Sequence, residues 1–136
     1  MNYLLDTNVV SELRKGKRCD PNVARWFSNV DERAIFLSVL TIGEIRMGVD
    51  RIRRRDARRA ASLNRWLKGL VDGFEDRILH VDRDIAEEWG RLNVPDPLPV
   101  IHGLLAATAK KHSLSVATRN TRDIARTGVD YVNPFA

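Results

Sequence analysis

The chain has 136 residues, 43% hydrophobic and 30% charged, which is the size and balance of one globular domain spanning residues 1–136. No apolar run approaches the ~20 residues that cross a bilayer, and the N-terminus lacks the basic and long apolar regions of a signal peptide, so no membrane role is expected. The 23 basic against 18 acidic residues, a net charge of +5, favour polyanionic or acidic partners. The single cysteine, Cys19, cannot close an internal disulfide, which fits a reducing cytoplasm.

Tyr3 to Leu5 is a short apolar run that stops at Asp6. Thr7 and Asn8 follow, and Val9 to Leu13 can open a helix. A strand that ends in Asp and turns into a helix places the carboxylate at the carboxyl end of a sheet, where open α/β sheets bind ligands. Asp6 can equally be a simple helix cap. Asp20-Pro21 is a helix start, with Val23, Trp26 and Phe27 at helical spacing up to Asn29. Ala34 to Leu37 is a second buried strand. Ser38 or Thr41 caps the next helix, which carries Ile42, Ile45, Met47 and Val49. Glu44, three residues after Thr41, fits a capping box as well as a site acid.

Arg51 to Arg59 is a basic cluster leading into a helix with apolar residues at 60, 63, 67, 70 and 74. The arginines lie mostly off that stripe. They form either a solvated face or a contact surface for RNA phosphate or an acidic partner. Arg77 to Val81 is a third strand, with His80 expected to be partly buried. Asp82 caps a helix carrying Ile85, Ala86, Trp89 and Leu92. Three prolines keep Val94 to Pro99 irregular, and a helix over Val100 to Lys111 places His102 in its first turn. Leu114 to Thr118 is the fourth strand, with Asp123 just beyond it, and Val129 to Val132 is the last. The alternation predicts about five strands in a mainly parallel sheet flanked by helices on both faces.

Asp6, Glu44 and Asp123 then share one logic: each follows a strand, so the sheet gathers them at one edge. Clustered carboxylates repel unless a cation or proton compensates, and a hard divalent ion is the usual solution. Such an ion can activate water against a phosphodiester.

Four stretches in order now bear a resemblance: Leu5 to Glu12, Ser38 to Gly48, Leu98 to Ala109 and Ala117 to Ile124, with Thr127 to Phe135 closing the chain. The sequence resembles the PIN-domain ribonucleases, and among them the VapC (FitB-like) toxins of bacterial toxin–antitoxin pairs. The resemblance implies a three-layer α/β/α sandwich and an acidic pocket holding Mg²⁺ or Mn²⁺. On it, Asp6, Glu44 and Asp123 are the metal-holding acids, and Thr7, Asn8 and Thr118 are their polar supports. Arg46, Arg53, Arg54 and Arg119 are candidate contacts for RNA or a partner. It also implies RNA hydrolysis, a VapB-type antitoxin that plugs the pocket, a homodimer that builds larger complexes, and operator DNA bound only through the antitoxin.

The departure is His102. The family usually has Asp at the start of this helix. Imidazole is a poor Mg²⁺ ligand that suits Mn²⁺ better and Zn²⁺ or Ni²⁺ better still. The helix N-terminus also disfavours a protonated ring. Weakened Mg²⁺ binding and reduced turnover are therefore expected, and a catalytically silent module that binds antitoxin or RNA is the rival function. Three origins of His102 stand open. It is a variant that ligates a softer metal, or a detoxifying change one base away from Asp, or a misplacement with Asp96 as the missing acid.

Overall fold

The computed structural model describes residues 1–136. In chain order the elements are β1 (Tyr3–Leu5), α1 (Thr7–Leu13), α2 (Pro21–Ser28), β2 (Ile35–Ser38), α3 (Val39–Arg53) and α4 (Ala57–Gly73). There follow β3 (Ile78–Leu79), α5 (Arg83–Leu92), α6 (Val100–His112), β4 (Ser115–Ala117), α7 (Thr121–Ala125) and β5 (Tyr131–Val132). The sheet order is β3-β2-β1-β4-β5, and every neighbouring pair is parallel. No helix is long and apolar enough to cross a membrane.

Side chains alternate across a strand, so each strand feeds two cores. Leu5, Ile35, Leu37 and Ala117 turn to one face and pack with Val9 and Val10 of α1, Val23 of α2, Ile45 and Val49 of α3, and Ala60, Leu63 and Leu67 of α4. Leu4 and Val116 turn to the other, against Leu105, Ala106 and Ala109 of α6 and Ile124 of α7. Helices thus cover both faces, which makes the three-layer α/β/α sandwich that the alternation predicts.

The chain runs outward from β1 through β2 to β3, then returns to β4 on the other side of β1. The winding direction reverses between β1 and β4. At that switch point the loops leaving the two carboxyl ends part and leave a crevice. Asp6 follows β1 directly and Thr118 follows β4 directly.

Carboxylate and hydroxyl caps start most of the helices by accepting their free N–H groups: Asp20 for α2, Ser38 for α3, Asp56 for α4 and Asp82 for α5. Ser38, not Thr41, caps α3. Thr41 is fully buried inside that helix, so a capping box does not account for Glu44.

Three expectations give way. Met47 is exposed rather than part of the apolar stripe of α3, because Ile45 and Val49 already face the sheet. The third strand shrinks to two residues, and His80 beyond it is exposed. Arg77, read as a strand residue, is buried instead. Its guanidinium donates to the carbonyls of Glu32 at 2.7 Å and Ile35 at 2.8 Å, and lies 4.4 Å over the Phe74 ring. It thereby ties the end of α4 to the start of β2. Arg77→Met keeps the apolar bulk but strips two carbonyls of their donor, at ~1–3 kcal/mol each. Urea unfolding should show a loss of about 2–4 kcal/mol; a loss below about 0.5 kcal/mol would mean that water replaces the guanidinium.

Candidate active site

Asp6 is both things that its sequence position allows. It is almost fully buried, and its Oδ1 accepts from Thr7 N at 2.7 Å, capping α1. Its Oδ2 accepts from the Thr118 hydroxyl at 2.7 Å and from Asn8 Nδ2 at 3.3 Å, and faces His102 Nε2 at 3.3 Å. Burial by itself would raise the Asp6 carboxyl. The hydrogen bonds from His102, Thr118 and Thr7, with the His102 charge, hold it below its ordinary value.

Thr118 also accepts from Asn120 N at 2.9 Å, and Asn8 Oδ1 accepts from Arg119 N at 3.2 Å. The loop after β4 is therefore pinned to α1 across the switch point. Thr7, Asn8 and Thr118, expected as polar supports, all touch Asp6.

His102 reaches the crevice from the first turn of α6, and Asp123 from the first turn of α7. His102 Nδ1 lies 3.0 Å from Asp123 Oδ2, an oxygen that also accepts from Asn120 Nδ2 at 3.1 Å. The neighbouring Gly103 lets α6 approach α5 closely: a Cβ there would lie 3.1 Å from the Trp89 ring. That close approach sets how deeply the start of α6, and His102 with it, sits in the crevice.

Each ring nitrogen of His102 thus faces a carboxylate oxygen. A neutral imidazole has one N–H and can donate to only one of them; the protonated ring donates to both. The hydrogen bond to Asp6 is the largest influence on the ring. Burial opposes it, and the Asp6 charge and the Asp123 contact add to it, so that the pKa is pushed up from 6.5 to about 9. This reverses the expectation that the helix terminus would keep the ring neutral. Two carboxylates at 3.0 and 3.3 Å outweigh the partial charge of a helix end.

Glu44 joins at one remove. The Thr7 hydroxyl donates to Glu44 Oε1 at 2.5 Å, with Thr41 Oγ1 3.3 Å away. Asp96 is exposed on the loop before α6, so it is His102, not Asp96, that stands between Asp6 and Asp123.

The arginines separate. Arg119 borders the crevice and stacks 4.4 Å over Phe135. Arg46 is exposed beside a groove between α3 and α4 lined by Val39, Ile42 and Leu67. Arg53 pairs with Asp50 at 2.8 Å, and Arg54 caps the far end of α3. At ~1.5 Å per helical residue, Arg53 starts about 14 Å from Glu44 along the axis, so neither it nor Arg54 belongs to the crevice.

Mg²⁺ requires several oxygen ligands around one point. Here no three carboxylate, imidazole or thiol side chains converge on a common ion position. The facing oxygens of Asp6 and Asp123 are turned to the imidazole, and Glu44 Oε1 to Thr7. As arranged, these residues do not fit a Mg²⁺ ion.

A profile of the PIN domain matches residues 3–129. The chain belongs to the PIN domain family. Within it, the chain is 32% identical to the toxin FitB of Neisseria gonorrhoeae over 139 aligned positions, covering 97% of each chain. It is 31% identical to the VapC ribonuclease Y4jK of Sinorhizobium fredii, covering 97% of this chain and 96% of that one. Among solved structures, FitAB bound to an IR36 DNA fragment superposes with a TM-score of 0.89 at 28% identity, covering 98% of this chain and 96% of that one.

One participant in this PIN domain is not among the residues that the sequence motifs single out. Asn120 bonds Asp123 and lies 3.4 Å from His102; it falls within the Ala117 to Ile124 stretch, three residues before Asp123 at a helix start.

The His102 shift sets a pH dependence with a definite sign. Its folded pKa lies above the unfolded value, so its contribution is complete below about 6.5 and is lost as pH rises through about 9. In metal-free protein, NMR should place the His102 titration near pH 9, and stability should fall between those pH values. His102→Gln should flatten that fall. A ring that titrates near 6.5 would contradict the two-carboxylate bridge.

Proposed function

We propose that this chain is the toxin of a VapBC-type toxin–antitoxin pair, a PIN-domain endoribonuclease whose hydrolysis of RNA is restrained by His102. The observation that carries the reading is the likeness to FitB and to a VapC ribonuclease along nearly the whole chain. The partner is a VapB-type antitoxin, in keeping with the FitAB assembly that this chain superposes on. DNA is met through the antitoxin, as befits a chain without a helix-turn-helix of its own. The toxin works as a homodimer inside larger complexes, in the cytoplasm.

What supports Asp6, Glu44 and Asp123 as the working acids is their common edge. Asp6 is fixed by four donors, Glu44 is steered by Thr7, and Asp123 is steered by Asn120. PIN nucleases depend on a divalent metal; Mg²⁺ or Mn²⁺ would be the ion here, bound only after the His102 bridge has opened. The surplus positive charge steers RNA toward the protein, and Arg119, at the rim and stacked on Phe135, is the candidate to meet a phosphate.

A second reading has a specific observation in its favour. The imidazole that spans Asp6 and Asp123 suits a silent module that keeps the fold and the antitoxin contact but does not cleave. RNA cleavage in Mg²⁺ and in Mn²⁺ separates the two. His102→Asp should cleave about 10–100-fold faster than the unaltered chain, the range for changes beside a metal site. Adding Asp6→Asn should abolish that gain. Equal rates with and without His102 would show that the ring does not restrain the site, and no cleavage by either protein would favour the silent module.

A further inference from the structure

We propose that His102 is the resident occupant of the seat in which a PIN nuclease holds its divalent ion, so that Mg²⁺ is shut out by the chain's own side chain. The inference rests on reading the Asp6–Asp123 edge as the ion site, and adds what fills it.

The geometry is that of a cross-link. Nε2 meets Asp6 at 3.3 Å and Nδ1 meets Asp123 at 3.0 Å, one ring joining two carboxylates that flank it from β1 and α7. Both oxygens of Asp6 are engaged, Oδ1 by Thr7 N and Oδ2 by Thr118 and Asn8 together with the ring. Asn120 closes on the same Asp123 oxygen from the side. Only 20% of the imidazole side chain is exposed, and the close contact of α6 with Trp89 at Gly103 holds the start of its helix in place. An ion entering between Asp6 and Asp123 must first displace the ring.

The chemistry agrees. Imidazole is a weak ligand for Mg²⁺, so a displaced ring does not recover its lost contacts by coordinating the ion. A softer metal gains little more while the bridge stands, because both ring nitrogens are engaged with carboxylates. A carboxylate at position 102 would instead add a third like charge to the edge, which then needs a cation to be tolerated. The chain has exchanged dependence on an external ion for an internal cross-link.

The test compares the unaltered chain with His102→Asp and His102→Ala. Thermal unfolding is followed in EDTA and with excess Mg²⁺ or Mn²⁺, and Mn²⁺ binding is read directly by electron paramagnetic resonance. The unaltered chain should melt at the same temperature with and without Mg²⁺. Both variants should melt lower in EDTA, recover when either ion is added, and bind Mn²⁺ at least ~10-fold more tightly. The Ala variant carries the test by itself should the Asp variant fail to fold without metal. Equal Mn²⁺ affinity in all three proteins would overturn the occupant role while leaving the nuclease reading intact. Ni²⁺ or Zn²⁺ binding by the unaltered chain that disappears in His102→Ala would overturn it too, making His102 a ligand. If neither variant binds an ion and neither cleaves RNA, the ion site and the nuclease reading fall together.

Discussion

The Asp6 carboxylate joins the two directions in which the sheet is wound. One oxygen starts α1, and the other accepts from the Thr118 hydroxyl on the far side of the switch point. A buried carboxylate without donors would be costly to desolvate, so these bonds are a condition of the fold as well as a feature of the site. They fix where β1 ends, how closely the loop after β4 approaches α1, and which way the remaining edge of Asp6 points. Of the groups that reach the crevice from α3, α6 and α7, His102 meets that edge directly, while Asp123 meets it through His102 and Glu44 through Thr7.

His102 belongs to the same frame. Two carboxylates face each other across a gap, and an imidazole rather than a free ion bridges it. The ring is a smaller charge than the ion, but it is covalently tethered and loses no translational freedom on arrival. Tethering raises the ion concentration needed to displace the bridge. The position therefore bears on the stability of the protein through two carboxylates at once.

Much of this is legible in the amino-acid sequence. Apolar runs that stop at Asp6 or shortly before Asp123, each followed by helical spacing, suffice to place both acids at one edge of a parallel sheet. Asp20-Pro21 and Asp82 announce helix starts through local chemistry alone. What stays hidden depends on groups far apart in the chain. Arg77 is buried because carbonyls of Glu32 and Ile35, more than forty residues earlier, surround its guanidinium. The charge of His102 is misjudged from sequence for the same reason. Its own helix terminus argues for a neutral ring, but the carboxylates that decide the matter come from β1 and α7.

Position 102 also separates two parts of the molecule that evolution and mutation can change independently. The caps of α2, α3 and α4, at Asp20, Ser38 and Asp56, and the core that these helices pack against make no hydrogen bond to His102; of the caps in this half of the chain, only that of α1, Asp6, does. Where Asp6 and Asp123 come together, one side chain in the first turn of α6 supplies the group that lies between them. With His102 the edge carries its own cross-link as folded, and opening it means breaking two hydrogen-bonded ion pairs at one ring.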